Sequence, residues 1–324
     1  MAEIIQHKDI VPESCLGKRF DQSIAEMFPE YSRSRLKEWI LAGHVTVNGD
    51  VLTRAREKMY GGETICIETE VEAEERFKPQ DIPLIIVYED DDILVINKPA
   101  GLVVHPGAGN PDGTVLNALL HYCPQVDVVP RAGIVHRLDK DTTGLMVVAK
   151  TIAAQTNLVE SLQAREITRE YEAIASGVMT AGGLVDQPIG RHSTKRTHMA
   201  VTISGRPSVT HYRVMEKFRL HTRLRLRLET GRTHQIRVHM AHITHPLVGD
   251  PVYGGRPRPP KNATQDLREV LKGFKRQALH AAMLSLFHPI TGEEMTWHAE
   301  IPKDMVVLTN ILREDTKLNG QVDY

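Results

Sequence analysis

Hydrophobic positions recur with a helical period in two short stretches near the start of the chain. Phe20, Ile24 and the Met27/Phe28 pair form the first stripe, and Leu36 and Ile40 form the second, which ends near Gly43. Next comes Val45-Thr46-Val47-Asn48-Gly49-Asp50-Val51-Leu52, whose Asn-Gly pair suits the two positive φ angles of a type I′ turn and so predicts a hairpin. A further strand is expected over residues 63–68. Farther along, Ile93–Ile96 and Leu145–Ala149 are unbroken apolar runs of the length of buried strands. Residues 151–165 predict an amphipathic helix, with Thr151 as its cap and Leu158 and Leu162 on one face. Arg223-Leu224-Arg225-Leu226-Arg227-Leu228 alternates strictly, which puts three leucines on one face of a strand and three arginines on the other. That strand ends at Thr230-Gly231, and a helix follows with Ile236, Met240 and Ile243 inward. Residues 254–261 read as a proline-rich basic loop, and the polar tail after Leu312 is expected to fray.

This pattern predicts two domains, as a length of 324 residues allows. A helix–helix–hairpin module with an N-terminal extension occupies residues 1–75, and an exposed acidic linker runs over 76–92. Residues 93–324 form a larger α+β domain on a mixed, mainly antiparallel sheet. Hydrophobic content of 41% and charged content of 25% suit a globular protein with a sizeable core. Cys15, Cys66 and Cys123 lie far apart with no CxxC pair, which argues for a reducing compartment and against a disulfide framework or a cysteine zinc site. No apolar run approaches a membrane span and no secretory leader is visible, so a cytoplasmic protein is expected.

The net charge of −1 hides a polarised chain. Residues 63–92 hold eleven acids against Arg76 and Lys78, whereas residues 191–261 hold fifteen Lys or Arg against Glu216, Glu229 and Asp250. Such a division allows a polyanion-binding face on a neutral protein. Eight histidines share the basic stretch, among them His239, His242 and His245. With no HExxH and no nearby cysteine, no metal site is expected.

Two segments concentrate chemistry. In residues 133–144, Asp139 and Asp141 sit in a loop between apolar segments with His136, Arg137 and Lys140 alongside. A carboxylate among cations favours its ionised form, as a nucleophile or general base requires. The same Asp-Thr-Thr-Gly is also good turn chemistry, which makes Asp141 the structural candidate and Asp139 the chemical one. In residues 227–239, arginines gather at a strand end and a helix start, where anions bind. A buried arginine there calls for an anionic partner.

HRLDKDTTG (136–144), INKPAGLVVHP (96–106) and LETGRTHQIRVH (228–239) together resemble the three motifs of the RluA-type pseudouridine synthases. SRSRLKEWI and VTVNG in the first module resemble the S4 RNA-binding domain. Within the family, the likeness is closest to a group acting on the large ribosomal subunit. The resemblance implies that Asp139 is the catalytic group, that Arg237 pairs with it, and that Tyr171 packs on the target base. It further implies that Arg137 displaces the base, with His136 and Arg232 on the RNA beside it, while Arg33, Arg35 and Lys37 form an S4-type RNA contact. Arg169 stands where the family usually has lysine. The implied activity isomerises uridine to pseudouridine in a hairpin of 23S ribosomal RNA, with no cofactor, no membrane and a monomeric enzyme. The alternatives are a transfer RNA target and a non-catalytic S4-type ribosome-assembly protein. An S4-linked methyltransferase would need a glycine-rich strand-to-helix turn, and none is visible.

Overall fold

The computed structural model describes residues 3–29, 31, 33–71, 77–107, 109–195 and 197–320. Two compact units divide at Arg76/Phe77. The expected boundary at residues 75–76 lies outside the described residues.

The first unit contains β1 (Glu3–Ile10), α1 (Phe20–Met27), α2 (Arg33–Ala42), β2 (Val45–Val47), β3 (Asp50–Val51) and β4 (Thr64–Val71). Its strands form an antiparallel sheet in the order β1-β4-β2-β3. Phe20, Ile24, Leu36 and Ile40 are buried against Val45, Ile65 and Ile67, as the helical stripes predicted. Asn48 and Gly49 both take positive φ, 52° and 93°, and turn the hairpin. The N-terminal extension carries an additional strand. β1 pairs with β4 from Glu3↔Val71 to Ile10↔Thr64, a ladder of backbone bonds that needs no hydrophobic alternation.

The second unit begins its sheet with β5 (Ile86–Glu89) and β6 (Ile93–Lys98), followed by α3 (Val115–Tyr122), β7 (Thr143–Ala149) and α4 (Ile152–Ala164). Then come β8 (Thr168–Ser176), β9 (Gly183–Asp186), β10 (Ile189–Arg191), β11 (Met199–Val201), β12 (Val209–Lys217), β13 (His221–Leu228) and α5 (Gln235–His242). The chain closes with α6 (Gln265–Gly273), β14 (Leu279–Phe287), β15 (Glu294–His298) and α7 (Lys303–Asn319). The large sheet has the order β5-β6-β7-β14-β8-β13-β12-β9, with β15 paired to β14 and a separate β10-β11 pair. Among its described pairings only β7 with β14 is parallel. This is the expected α+β, mainly antiparallel architecture. Leu94, Ile96, Met146, Val148, Leu224 and Leu226 point to one face, where Ile236 and Met240 of α5 cover them. The residues between them, Ile93, Val95, Leu145 and Val147, point to the other face against Ala154 and Leu158 of α4. Thr151 caps α4 by accepting from the Ala154 N–H.

Two expectations need correction. Residues 77–92 lie at the surface as expected, but they belong to the second unit and are not a free linker. Asn117 donates to the Lys78 carbonyl at 3.0 Å, the Gly113 N–H donates to the Gln80 side chain at 2.7 Å, and β5 pairs with β6. The acids there serve the fold: Asp90 accepts from the Asp92 and Ile93 amides at 2.8 Å each, and Glu89 bonds Lys150 at 2.9 Å. Nor do residues 313–319 fray. α7 runs to Asn319, and its buried Met305, Leu308 and Leu312 continue into a buried acid, Asp315. Asp315 binds the likewise buried Arg219 at 3.0 Å and accepts from the Thr264 amide at 2.7 Å. A polar residue on the inner stripe hid the end of the helix.

Removing Asp315 leaves the Arg219 guanidinium buried without its carboxylate, a loss on the order of 3–5 kcal/mol. Asp315→Ala is therefore expected to lower the urea midpoint clearly, while Glu314→Ala at the exposed neighbouring position leaves it unchanged.

Candidate active site

The loop before β7 carries Asp139 and is tied down from three sides. The Thr142 amide donates to the Asp139 carbonyl at 3.1 Å and closes a tight turn. The Thr142 hydroxyl accepts from Gln277 at 2.9 Å, and Thr143 bonds His280 Nδ1 at 2.8 Å, so the loop is fastened to the entry of β14. Gly144, at φ +116°, lets β7 run against β14 at this point, since a side-chain carbon there would collide with the Ala281 backbone. From β6, Lys98 reaches under the loop. It is 1% exposed, and its ammonium donates to the carbonyls of Pro99, Leu102 and Lys140 at 2.8, 2.9 and 2.9 Å. Burial pushes the Lys98 pKa down to about 8, while Asp141 and Asp139 act to raise it, which leaves it largely protonated at neutral pH.

Arg237, in the first turn of α5, joins this loop to a second one. Its Nη1 donates to Asp139 Oδ2 at 2.9 Å. Its Nε and Nη2 make a paired bond to Asp250 at 2.7 and 2.9 Å. Asp250 also accepts from the Val252 and Tyr253 amides at 2.8 and 3.0 Å, and the Tyr253 ring lies 5.1 Å from the guanidinium carbon. Burial raises the Asp250 carboxyl, but the bonds and charge of Arg237 outweigh it and hold the group below the usual carboxylate range. His234 sits at the α5 N-cap with φ +56°; its Nδ1 bonds the Tyr253 hydroxyl at 2.8 Å and its Nε2 lies 4.0 Å from Asp139 Oδ1.

These groups open on a cleft of about 650 Å³. Of the residues expected from sequence, Asp139, Arg237, Tyr171, Arg137, His136 and Arg232 all line it. Tyr171, in β8, is 5% exposed, and Arg137 stands exposed at the edge. His136 departs from expectation, because it is not one of the cations around Asp139. Its Nε2 accepts from the Val147 amide at 3.1 Å, and burial pushes its pKa down to about 3, so the ring is neutral with its proton on Nδ1. Arg33, Arg35 and Lys37 lie on α2 of the first unit. Arg33 and Lys37 are exposed, and the Arg35 guanidinium lies 5.4 Å from the Trp39 ring centre.

The basic stretch is also less free than its composition suggested. Arg223 makes two bonds to Glu172 at 3.0 and 2.7 Å, and Arg225 lies 3.7 Å from both Glu170 and Glu172. The register of β13 on β8 sets these acids opposite the arginines. Sequence reasoning did not single out Lys98, Asp250, His234 or Tyr253. Asp250 did leave a signal, as one of three acids in a basic region. Lys98 left a weaker one, a cation ending an apolar strand just before Pro99.

A helix–helix–hairpin module, a mainly antiparallel sheet and an aspartate–arginine pair in a basic cleft agree with the class of RNA-modifying enzyme that comparison with known proteins shows. Residues 92–242 match the family described as RNA pseudouridylate synthase, and residues 18–65 match the S4 domain. The chain belongs to the RNA pseudouridylate synthase family, as the motifs implied. The protein named ribosomal large subunit pseudouridine synthase D from Yersinia pestis is 68% identical over 325 residues, all of both chains. Its namesake from Shigella flexneri is 71% identical over 97% of each chain, and that from Vibrio parahaemolyticus is 66% identical over 100% of this chain and 99% of its own. Among solved structures, human RNA pseudouridylate synthase domain containing 4 aligns with a TM-score of 0.56 at 27% identity, over 71% of this chain and 93% of that one. Human RNA pseudouridylate synthase domain containing 1 gives 0.52 at 28%, over 68% and 84%.

Arg237→Met strands the fully buried Asp250 carboxylate and frees Asp139, at a cost of about 3–5 kcal/mol. Denaturant unfolding should show that loss together with a fall in turnover, whereas Arg237→Lys should recover part of the stability without the two-pronged geometry. Lys98 adds a pH signature. Its pKa is lower folded than unfolded, so the unfolded chain binds more protons between about pH 8 and the ordinary lysine range, and stability from this group rises with pH there. The stability gap between wild type and Lys98→Met should widen as pH rises through that window; a gap that narrows would mean the three carbonyls hold the proton more tightly than burial expels it.

Proposed function

We propose that this enzyme converts uridines to pseudouridine in a hairpin of 23S ribosomal RNA in the cytoplasm, with Asp139 as the group that performs the chemistry. The observation that carries the reading is the asymmetric hold on Arg237. Asp250 takes two of its nitrogens, and Asp139 takes one through Oδ2. Asp139 Oδ1 is thereby left for the cleft, on a carboxylate whose position is fixed. The printed names of the relatives, which specify the large ribosomal subunit, support the choice of RNA. The absence of a membrane-crossing helix among the described residues is consistent with the compartment.

The reaction exchanges one glycosidic bond for another. The N1–C1′ bond of uridine breaks, the uracil turns, C5 bonds to C1′, and the proton on C5 leaves as N1 gains one. Asp139 serves either by attacking C1′ or by removing the C2′ proton, and both routes need a free carboxylate oxygen within reach of the ribose. Arg237 keeps that oxygen oriented. The target base must leave its stack, which costs a few kcal/mol. Arg137, exposed at the cleft edge, fills the vacated space, and Tyr171 offers an aromatic surface for the freed base. His136 lines the cleft as a neutral ring with its Nδ1 buried, and Arg232 supplies charge. In the first unit, Arg33, Arg35 and Lys37 add phosphate contacts that hold and position the RNA.

Asp139→Asn keeps shape and removes both possible reactions. Single-turnover pseudouridine formation on a 23S hairpin should fall by more than about a thousandfold, with RNA affinity nearly unchanged. Equal loss in Asp141→Asn at full stability would overturn the assignment. Mapping pseudouridines in cells lacking the protein tests the target, and unchanged 23S RNA would refute it.

A further inference from the structure

A second cavity, of about 250 Å³, lies in the same unit and shares no lining residue with the active cleft. It forms where the loop after α5 meets the end of α6 and the start of β13. His221, the first residue of β13, lines it and is 3% exposed. Its Nδ1 is buried and has no hydrogen-bond partner among the described residues. Such an atom is costly to leave unpaired in a folded protein and calls for an explanation. Burial pushes the His221 pKa down to about 4, so at neutral pH the imidazole carries one proton and one lone pair.

Four cations, Arg256, Arg258, Lys272 and Lys275, stand exposed around the opening. None has an ion-pair partner among the described residues, unlike Arg223 and Arg225 of β13. The lining carboxylate, Asp250, is already committed to Arg237. The C-terminal turn of α6 contributes a weak negative pole, which Lys272 and Lys275 oppose. Positive charge over a concave surface with an unsatisfied imidazole is chemistry for a phosphate, and the volume admits one with an attached sugar.

We propose that this cavity binds a backbone phosphodiester of the substrate RNA outside the catalytic cleft, with the four cations taking its charge and the His221 ring forming part of the wall. The inference rests on the RNA substrate of the family. It also gives the loop over 249–255 two tasks, since Asp250 and Tyr253 hold Arg237 while the same stretch forms the cavity wall.

The test uses the full-length enzyme and compares Arg256→Gln/Arg258→Gln and Lys272→Gln/Lys275→Gln with Lys303→Gln, an exposed cation outside both cavities. RNA affinity is measured against salt concentration, and single-turnover rate is measured at saturating enzyme. Each double variant should bind RNA more weakly and lose roughly 0.7–0.9 in log–log salt slope for the contact removed, with the saturated rate unchanged. A slope change no larger than that of Lys303→Gln overturns the proposal. In ring-labelled wild type, the His221 resonance should move on adding substrate RNA, and inorganic phosphate should compete for the same shift. A shift with inorganic phosphate that RNA neither produces nor displaces would assign the cavity to a free phosphate ligand and would also overturn it. If wild type formed no pseudouridine at saturation, the catalytic reading would fail instead, and the salt slopes would still judge the cavity.

Discussion

One guanidinium between two carboxylates holds the functional half of this protein together. Arg237 is 4% exposed and cannot lose its charge, so its burial is tolerable only with anions on both sides. The two anions are not equivalent. Asp250 is wholly enclosed, engages two nitrogens and is completed by two backbone amides, which makes it the structural counter-ion. Asp139 takes the remaining nitrogen with one oxygen and keeps a partly open side chain. A cation that had to satisfy Asp139 through both oxygens would leave nothing to meet a substrate.

That arrangement requires the Asp139 loop to stay still, and the surrounding sheet supplies the restraint. Lys98 spends all three of its protons on main-chain carbonyls, one of them in the loop at Lys140. Arg276 donates to the Asp141 carbonyl at 3.3 Å while bonded to Asp304 at the start of α7. The parallel contact of β7 with β14 begins at Thr143, four residues after Asp139. A carboxylate on a loop thus acquires the positional stability of a strand. Preorganisation of this kind is where much of an enzyme's rate advantage arises.

Charge in this chain is settled locally. Acids that look like a repulsive linker close turns at Asp90 and hold Lys150 through Glu89. Two of the three arginines that look like an RNA-binding row on β13, Arg223 and Arg225, are met by Glu170 and Glu172 across the ladder. Among the described residues, several cations that have no ion-pair partner stand at the openings: Arg137 at the larger cleft, and Arg256, Arg258, Lys272 and Lys275 at the smaller cavity. Polyanion binding therefore depends on which positive groups the fold leaves unpaired rather than on how many the sequence contains.

Periodicity and turn chemistry carry information over a few residues, and within that range the sequence determined a great deal. The helices of the first unit, the Asn48-Gly49 turn, the buried runs of β6 and β7, the Thr151 cap and the leucine face of β13 follow from local spacing. The motifs placed Asp139 and Arg237 in one family pattern, and the family likeness added Tyr171 from outside them, before any coordinate did. What local spacing cannot carry is pairing between distant segments. Asp250 answers Arg237 across thirteen positions, Lys98 reaches Lys140 across forty-two, and Asp315 meets Arg219 across ninety-six. Each is a polar residue in an otherwise ordinary stretch, and burial against a particular partner gives it its role. Only tertiary structure decided that His136 would be neutral and that residues 313–319 would be helix. The physical reason is the same in every case: desolvation and ion pairing depend on neighbours in space, and the chain specifies those neighbours only by folding.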